Sequence, residues 1–238
     1  MLAVHGLDAT VGVDLEGSGL ERDEFVRLWG RCHVEDDQPA SVVEAKPGES
    51  MELLTQSITR GLVTANIGRL LMLHAGCVAD PKSGRALAYV APGGTGKSTL
   101  TRQLGRRFGY VTDETVGIEP DTLRIHPYPK PVTLAASPGE EKIENSPDDL
   151  GLLPAPESVH LHRLVVLRRS ATVTEPTFTD LDLLDAVGML APETSSLAQL
   201  AKPLHLLAQI HERLGCTLVE YSESADVVEW CLAQLEAP

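Results

Sequence analysis

The chain has 238 residues, 42 % of them hydrophobic, and a net charge of −14 at neutral pH. That size suits one large domain, or one domain with a small appendage, and that charge disfavours nucleic acid and anionic membranes, whose recognition needs Lys and Arg against phosphates. Cys32, Cys77, Cys216 and Cys231 show no C-x-x-C spacing, no apolar run approaches the ~18 residues of a membrane span, and Met1-Leu2-Ala3-Val4-His5 lacks the basic and apolar regions of a signal peptide, so a reduced, cytoplasmic protein is expected.

Residues 2–15 alternate weakly between glycines and predict one or two short strands. Phe25, Leu28, Trp29 and Cys32 recur at helical spacing, and Ser41-Val42-Val43-Glu44-Ala45 reads as a further strand closed by Pro47-Gly48. Residues 1–48 are therefore expected to form a small β-rich N-terminal extension, with 49–238 as the main domain. Ser50 is a candidate cap for a helix over 50–67, whose inner face is Met51, Leu54, Ile58 and Leu62. The apolar run Leu70 to Ala79 predicts a buried strand, and Ala86 to Val90 its hairpin partner.

Leu100, Leu104 and Phe108 then predict a helix ending at Gly109, followed by a strand at Tyr110-Val111-Thr112 and a hairpin around Glu119-Pro120-Asp121. Residues 126–158, rich in proline, read as loop with one short helix at most. A strand is expected over 163–168. Helices follow from Thr179 to Leu190 and over 197–214, the second kinked at Pro203 and stopped by Gly215. Thr217 to Tyr221 reads as a strand, and Ser224 as the cap of a final helix. Strands alternating with helices point to an α/β fold with a largely parallel sheet.

The most informative segment is Ala91-Pro92-Gly93-Gly94-Thr95-Gly96-Lys97-Ser98-Thr99. It follows the G-x-x-x-x-G-K-[ST] pattern of a phosphate-binding P-loop, or Walker A motif, with Ala91 in the first glycine position. Glycines let the backbone N–H groups turn inward toward phosphate oxygens, and the following helix aims its positive end at them. Gly93, Gly94, Thr95, Gly96, Lys97, Ser98 and Thr99 are the expected nucleotide-binding residues. Lys97 would meet the β and γ phosphates and Ser98 a Mg²⁺ ion. The context, an apolar strand before and an amphipathic helix after, is what the mechanism requires.

Two neighbours extend the site. Asp113-Glu114 ends the next strand, on the sheet edge where ligands bind; one carboxylate is a candidate for Mg²⁺ and the other for a general base, against the plainer reading of a solvated strand end. His74, in Leu73-His74-Ala75-Gly76, is either a satisfied core histidine or part of the site. Lys130 in Pro129-Lys130-Pro131 is a solvated lysine or a phosphate contact. His160-x-His162 lacks a third ligand and reads as strand surface. His205 and His211 read as ordinary helix residues, and Arg168-Arg169 as a strand end.

The order Leu-His-Ala-Gly, hairpin, Gly-Gly-Thr-Gly-Lys-Ser-Thr-Leu, Asp-Glu, hairpin, Pro-Tyr-Pro-Lys-Pro resembles the catalytic domain of the HPr kinase/phosphorylase family, a P-loop group related in shape to phosphoenolpyruvate carboxykinase. The resemblance covers roughly residues 70–135. It implies a P-loop kinase-like sheet flanked by helices. It also implies ATP and Mg²⁺ as cofactors, and transfer of the γ-phosphate to a serine hydroxyl of a peptide or protein. By the same resemblance Asp113 is the base, His74 its partner, Lys97 a catalytic cation, and Glu114 helps Ser98 hold Mg²⁺. There is no counterpart of the family's Glu-Ile-Arg-Gly-Leu-Gly-Ile segment, and the N-terminal part does not match the family's own. Smaller relatives of the family phosphorylate serine on peptides. The family's hexameric assembly makes a homo-oligomer one possibility.

Two other readings stay open: a nucleotide-binding regulatory NTPase without an acceptor, and a kinase acting on a small metabolite. The polar stretch 135–160 is the candidate acceptor surface. No Asn-Lys-x-Asp guanine-reading motif is present.

Overall fold

A computed structural model describes residues 1–35, 38–135 and 142–236. Along the chain the elements are β1 (Leu2–Gly6), β2 (Ala9–Asp14), α1 (Arg22–Trp29), β3 (His33–Val34), β4 (Ser41–Glu44), α2 (Met51–Ala65), β5 (Leu71–Ala79), β6 (Arg85–Val90) and α3 (Lys97–Leu104). Next come β7 (Gly109–Thr112), β8 (Thr115–Ile118), β9 (Arg124–His126), β10 (Val132–Ala135), β11 (Lys142–Asn145), β12 (Leu153–Pro154) and β13 (Val159–Arg169). The last part holds β14 (Thr177–Asp180), α4 (Leu183–Leu190), β15 (Thr194–Ser195), α5 (Pro203–Leu214), β16 (Thr217–Tyr221) and α6 (Val228–Glu236), with short 3-10 turns at 191–193, 197–199 and 224–227. Among these described residues no helix is long and apolar enough to cross a membrane.

The chain divides into two compact units, Met1–Ile67 with Tyr128–Gly151, and Gly68–Pro127 with Leu152–Pro238. The division differs from the expected 1–48 extension: α2 and a later segment both belong to the first unit. Its sheet runs β3-β1-β2-β4, and Phe25, Leu28, Trp29, Leu54, Ile58 and Leu62 supply its buried helix faces. Ser50 caps α2 as expected, its side chain accepting from the Leu53 N–H. Tyr128 ties the returning segment in. Its hydroxyl lies 2.8 Å from Thr59 Oγ1, and its ring packs so closely on Gly6 that a Cβ there would lie 2.5 Å from Cδ2. Residues 126–158, expected as loop, contain the antiparallel hairpin β10–β11, with Val132 opposite Asn145 and Leu134 opposite Ile143. Pro127, Pro129 and Pro131 stop short of the strand, so none removes a ladder donor. Residues 136–141, part of the expected acceptor surface, lie outside the described residues.

The second unit is built on β5, which is buried almost throughout. Its sheet is mixed rather than largely parallel: β6, β7, β8 and β15 all run antiparallel to β5, whereas β13 runs parallel to β6 and β16. The local hairpins β5–β6 and β8–β9 impose this, because a short turn reverses direction and only a long crossover preserves it. The pairings β5–β8–β9–β13–β6 return to β5 and close a ring. One apolar cluster joins the sheet to α4 and α5, and a second joins it to α3 and α6.

Several boundaries differ from expectation. Helix α3 ends at Leu104. Gly109 belongs to β7, where a Cβ would lie 2.7 Å from the Pro154 carbonyl oxygen. Thr177–Asp180 is an edge strand, suited to its β-branched and aromatic side chains, and Asp182 caps α4 by accepting from Asp185 N at 2.9 Å. Pro203 opens α5 rather than kinking a longer helix, since the first helical position needs no N–H. Glu223 and Asp226 cap the last helical segment reciprocally, in place of Ser224.

Candidate active site

The second unit brings three separate segments to the middle of β5. On one edge of β5, β7 and β8 form an almost continuous strand that breaks only at Asp113-Glu114: Thr112 lies opposite Cys77 and Thr115 opposite His74. The break is pinned where Ala75 N donates to the Glu114 carbonyl at 3.0 Å. On the other edge, β6 ends with Val90 opposite Ala75, and β15 begins with Thr194 opposite Leu73. The glycine-rich loop leaves from the first of these, and Glu193 stands just before the second. His74 therefore sits between the loop, the acidic pair and Glu193.

The loop has the backbone that its glycines predict. Gly94 and Gly96 adopt positive φ, 79° and 105°, a region L side chains rarely enter. Gly93 and Gly94 have no atom within 4 Å of where a Cβ would stand, so this stretch of backbone is open to a ligand. Thr95 Oγ1 donates to the Pro92 carbonyl at 2.8 Å, and Tyr221, at the end of β16, donates to the Thr95 carbonyl at 2.9 Å. The first turn of α3 carries Lys97, Ser98 and Thr99; Ser98 is half-buried and Thr99 is exposed.

Gly76 sets the seat of this helix. A Cβ there would lie 2.1 Å from Tyr89 Cε2 and 2.6 Å from Thr101 Oγ1. Only glycine lets the Tyr89 ring and α3 approach β5 so closely, and the Tyr89 and Thr101 hydroxyls then bond to each other. Thr101 also donates to the Lys97 carbonyl at 2.8 Å.

Lys97 is 6 % exposed. Its ammonium donates to the carbonyls of Ala91 and, at 3.1 Å, Pro92. Burial pulls its pKa below the ordinary lysine value, and the nearby carboxylates of Glu193, Asp113 and Glu114 oppose that shift. One buried cation thus lies in the field of three acidic groups from two segments, the pair Asp113-Glu114 and Glu193. Asp113 is 5 % exposed and accepts from the Tyr110 hydroxyl at 3.1 Å. Glu114 is half-buried. His74 Nδ1 lies 3.0 Å from Glu193 Oε2.

Glu193 is the residue the sequence does not reveal. It sits in Ala-Pro-Glu-Thr-Ser, which carries no motif, and it reaches the site only because β15 pairs with β5. The other singled-out residues lie elsewhere. Lys130 is not solvated; it is buried in the first unit, with Nζ 2.9 Å from the Pro131 carbonyl. His160 is exposed. His162 sits at an irregularity in β13, its pKa lowered by burial and by Arg163 and Arg85, surroundings that oppose a metal ion. His205 is exposed on α5, and His211 Nε2 bonds the Leu181 carbonyl. Arg168 and Arg169 pair with Glu220 and Glu223. Among the described residues no group of three or more His, Cys, Asp or Glu side chains is placed to hold a metal.

No protein-family model matches the chain, and no curated protein matches it. Among solved structures, the Hpr(Ser) kinase/phosphatase from Coxiella burnetii overlaps 69 % of this chain and 92 % of its own, with 12 % identity and a TM-score of 0.34. Overlap at that level says nothing of site residues or chemistry.

Proposed function

We propose that the protein is an ATP-dependent kinase that transfers the γ-phosphate to a serine hydroxyl of a peptide or protein. The observation that carries the reading is the convergence on His74 of a glycine-bent loop bearing Lys97, the acidic break Asp113-Glu114, and Glu193. A strand, a loop with two positive-φ glycines and a helix beginning at Lys97-Ser98 form the backbone cradle that phosphates need.

The residues fit a nucleotide with Mg²⁺. The loop from Gly93 to Gly96 and the amides opening α3 face the phosphates, and Lys97 exchanges its own loop's carbonyls for phosphate oxygens. The Ser98 hydroxyl and the Glu114 carboxylate suit Mg²⁺, which takes one or two protein oxygens and fills its shell with water and phosphate. Bound there, the ion supplies charge neutralisation on the phosphates. Asp113 accepts the proton of the serine hydroxyl as its oxygen attacks the γ-phosphorus, and the bond to the β-γ bridging oxygen breaks. Glu193 fixes the ring of His74 by holding Nδ1, which leaves Nε2 for the acceptor or the transferring phosphoryl group.

One observation favours a second reading, a nucleotide-binding NTPase without an acceptor: Asp113 is deeply buried and held by Tyr110. The test is incubation of the purified protein with ATP-Mg²⁺, with and without serine-containing peptides, followed by mass spectrometry. A peptide gaining one phosphoryl group, and failing to gain it with Asp113→Asn, supports the kinase. Phosphate release with no modified acceptor supports the NTPase.

A further inference from the structure

A cavity lies in the second unit, away from the glycine-rich loop. It measures about 410 Å³ and is walled by Arg163, Asp180, His211, Trp230 and Gln234, among others. That volume is in the range of small-molecule sites. Arg163 pairs with Leu87 on β6, three positions before the Val166–Val90 pair that precedes the loop. The cavity is therefore set back from the loop by about 10 Å along β13.

Its charge is unusual for so acidic a chain. Arg163 Nε is buried without a hydrogen-bond partner, and so is Arg85 Nε, one strand away. Half-buried His162 also has its Nε2 buried without a partner among the described residues, but neither it nor Arg85 lines the cavity, so the cation on the wall is Arg163. Among the described residues the single acidic one on the wall, Asp180, does not ion-pair with Arg163; its Oδ1 accepts from Thr217 Oγ1 at 3.0 Å. His211 is occupied by the Leu181 carbonyl. A guanidinium with no carboxylate partner among the described residues, half-withdrawn from water, is a costly arrangement that an anion relieves. Beside it stands an apolar wall. Trp230 is half-buried and stacks on Phe178, with ring centroids 4.7 Å apart, and Leu181 and Leu214 also line the space.

We propose that this cavity binds a small flat apolar molecule carrying one anionic group, with the anion on Arg163 and the flat body against Trp230. A carboxylate and a phosphate share the needed chemistry. The site is independent of the nucleotide reading, since it uses none of the loop residues.

The test titrates the ¹⁵N-labelled full chain with benzoate and, separately, with phenyl phosphate. The indole N–H signals of the two tryptophans are followed, and the Trp230 signal is assigned by Trp230→Phe. The expected result is a saturable shift of Trp230 with either probe, while Trp29, buried in the first unit, stays still. The shift persists in Lys97→Ala, and its midpoint rises at least fivefold in Arg163→Gln but less in Arg163→Lys. A response to benzoate alone identifies a carboxylate ligand, and a response to phenyl phosphate alone a phosphate ligand. A Trp230 signal unmoved by both probes overturns the proposal, as does an equal midpoint in folded Arg163→Gln. If Arg163→Gln does not fold, the comparison of wild type with Arg163→Lys and the Trp230 shift itself decide the question.

Discussion

His74 and Glu193 lie 119 positions apart in sequence, yet His74 Nδ1 and Glu193 Oε2 are 3.0 Å apart. Strand β15, only two residues long, makes this contact by laying Thr194 against Leu73. A carboxylate on one ring nitrogen selects the tautomer with its proton there, and so decides what the other nitrogen offers. Replacing it with an amide keeps the shape and removes that selection.

On the proposed kinase reading, Glu193→Gln is therefore expected to slow phosphoryl transfer by about tenfold, roughly 1.4 kcal/mol on the barrier. Nucleotide affinity should hold or improve, because Glu193 is also the leading carboxylate acting on Lys97, and its negative charge repels phosphates. Steady-state kinetics and calorimetric titration separate the two effects. Weaker nucleotide binding with an unchanged turnover number would refute the positioning role.

On the proposed nucleotide-binding reading, Lys97 would make that binding pH-dependent in a definite sense. Burial lowers its pKa below 10.5, although Glu193, Asp113 and Glu114 resist the shift. Phosphates favour the protonated form, so affinity is full below the lowered pKa and falls as pH rises through it. The same shift affects folding. Between the lowered value and 10.5 the unfolded chain binds more protons, so this residue's contribution to stability rises with pH in that window. Affinity measured from pH 7 upward should decline before 10.5, with proton uptake on binding seen as a buffer-dependent heat. Constant affinity through pH 10.5 would contradict the buried-ammonium geometry.

The four cysteines should be inert in the folded protein. All are buried, and burial raises Cys32, Cys216 and Cys231 to about 12 and Cys77 higher still. At pH 8 a thiol of pKa 12 is about one part in ten thousand thiolate, the reactive form. A maleimide or disulfide reagent should label the native protein negligibly over an hour and all four thiols after denaturation. One rapidly labelled cysteine in native protein would show that its surroundings open.

The glycine-bent loop, the position of the acidic pair and β5 were legible because each is local: a glycine pattern, a dipeptide after a strand, an unbroken apolar run. What escaped is non-local. Glu193 enters through a pairing that no periodicity announces. The sheet's mixed direction follows from hairpins such as β5–β6 and β8–β9, which are visible singly in the sequence, but not from the overall alternation of strands and helices that suggested parallel order. The segment 128–151 was lost to its prolines, although they flank β10 rather than interrupt it. Its return to the first unit depends on Tyr128 meeting Gly6 and Thr59, contacts invisible from either segment alone. Lys130 shows the reverse error, since a lysine between two prolines looks solvated yet is buried.

Gly76 is the position where a single methyl group should do most harm to the site without touching a ligand. Its backbone φ is not in the left-handed region, so alanine is conformationally acceptable and the cost is purely steric. The added carbon would overlap the Tyr89 ring at 2.1 Å and Thr101 Oγ1 at 2.6 Å. Tyr89 is wholly buried between β5 and α3 and cannot swing out, so α3 must lift. Overpacking of this kind costs about 1–3 kcal/mol, and here it also breaks the Tyr89–Thr101 contact and moves the turn that presents Lys97. Gly76→Ala is expected to lower the thermal midpoint by several degrees and to weaken nucleotide binding in proportion to the displacement of α3. The comparison is Gly93→Ala, at a loop position with no neighbour within 4 Å of the added carbon. That variant should leave stability unchanged and reduce binding alone. Equal melting temperatures for Gly76→Ala and the parent protein would mean that α3 does not rest on β5 in this way.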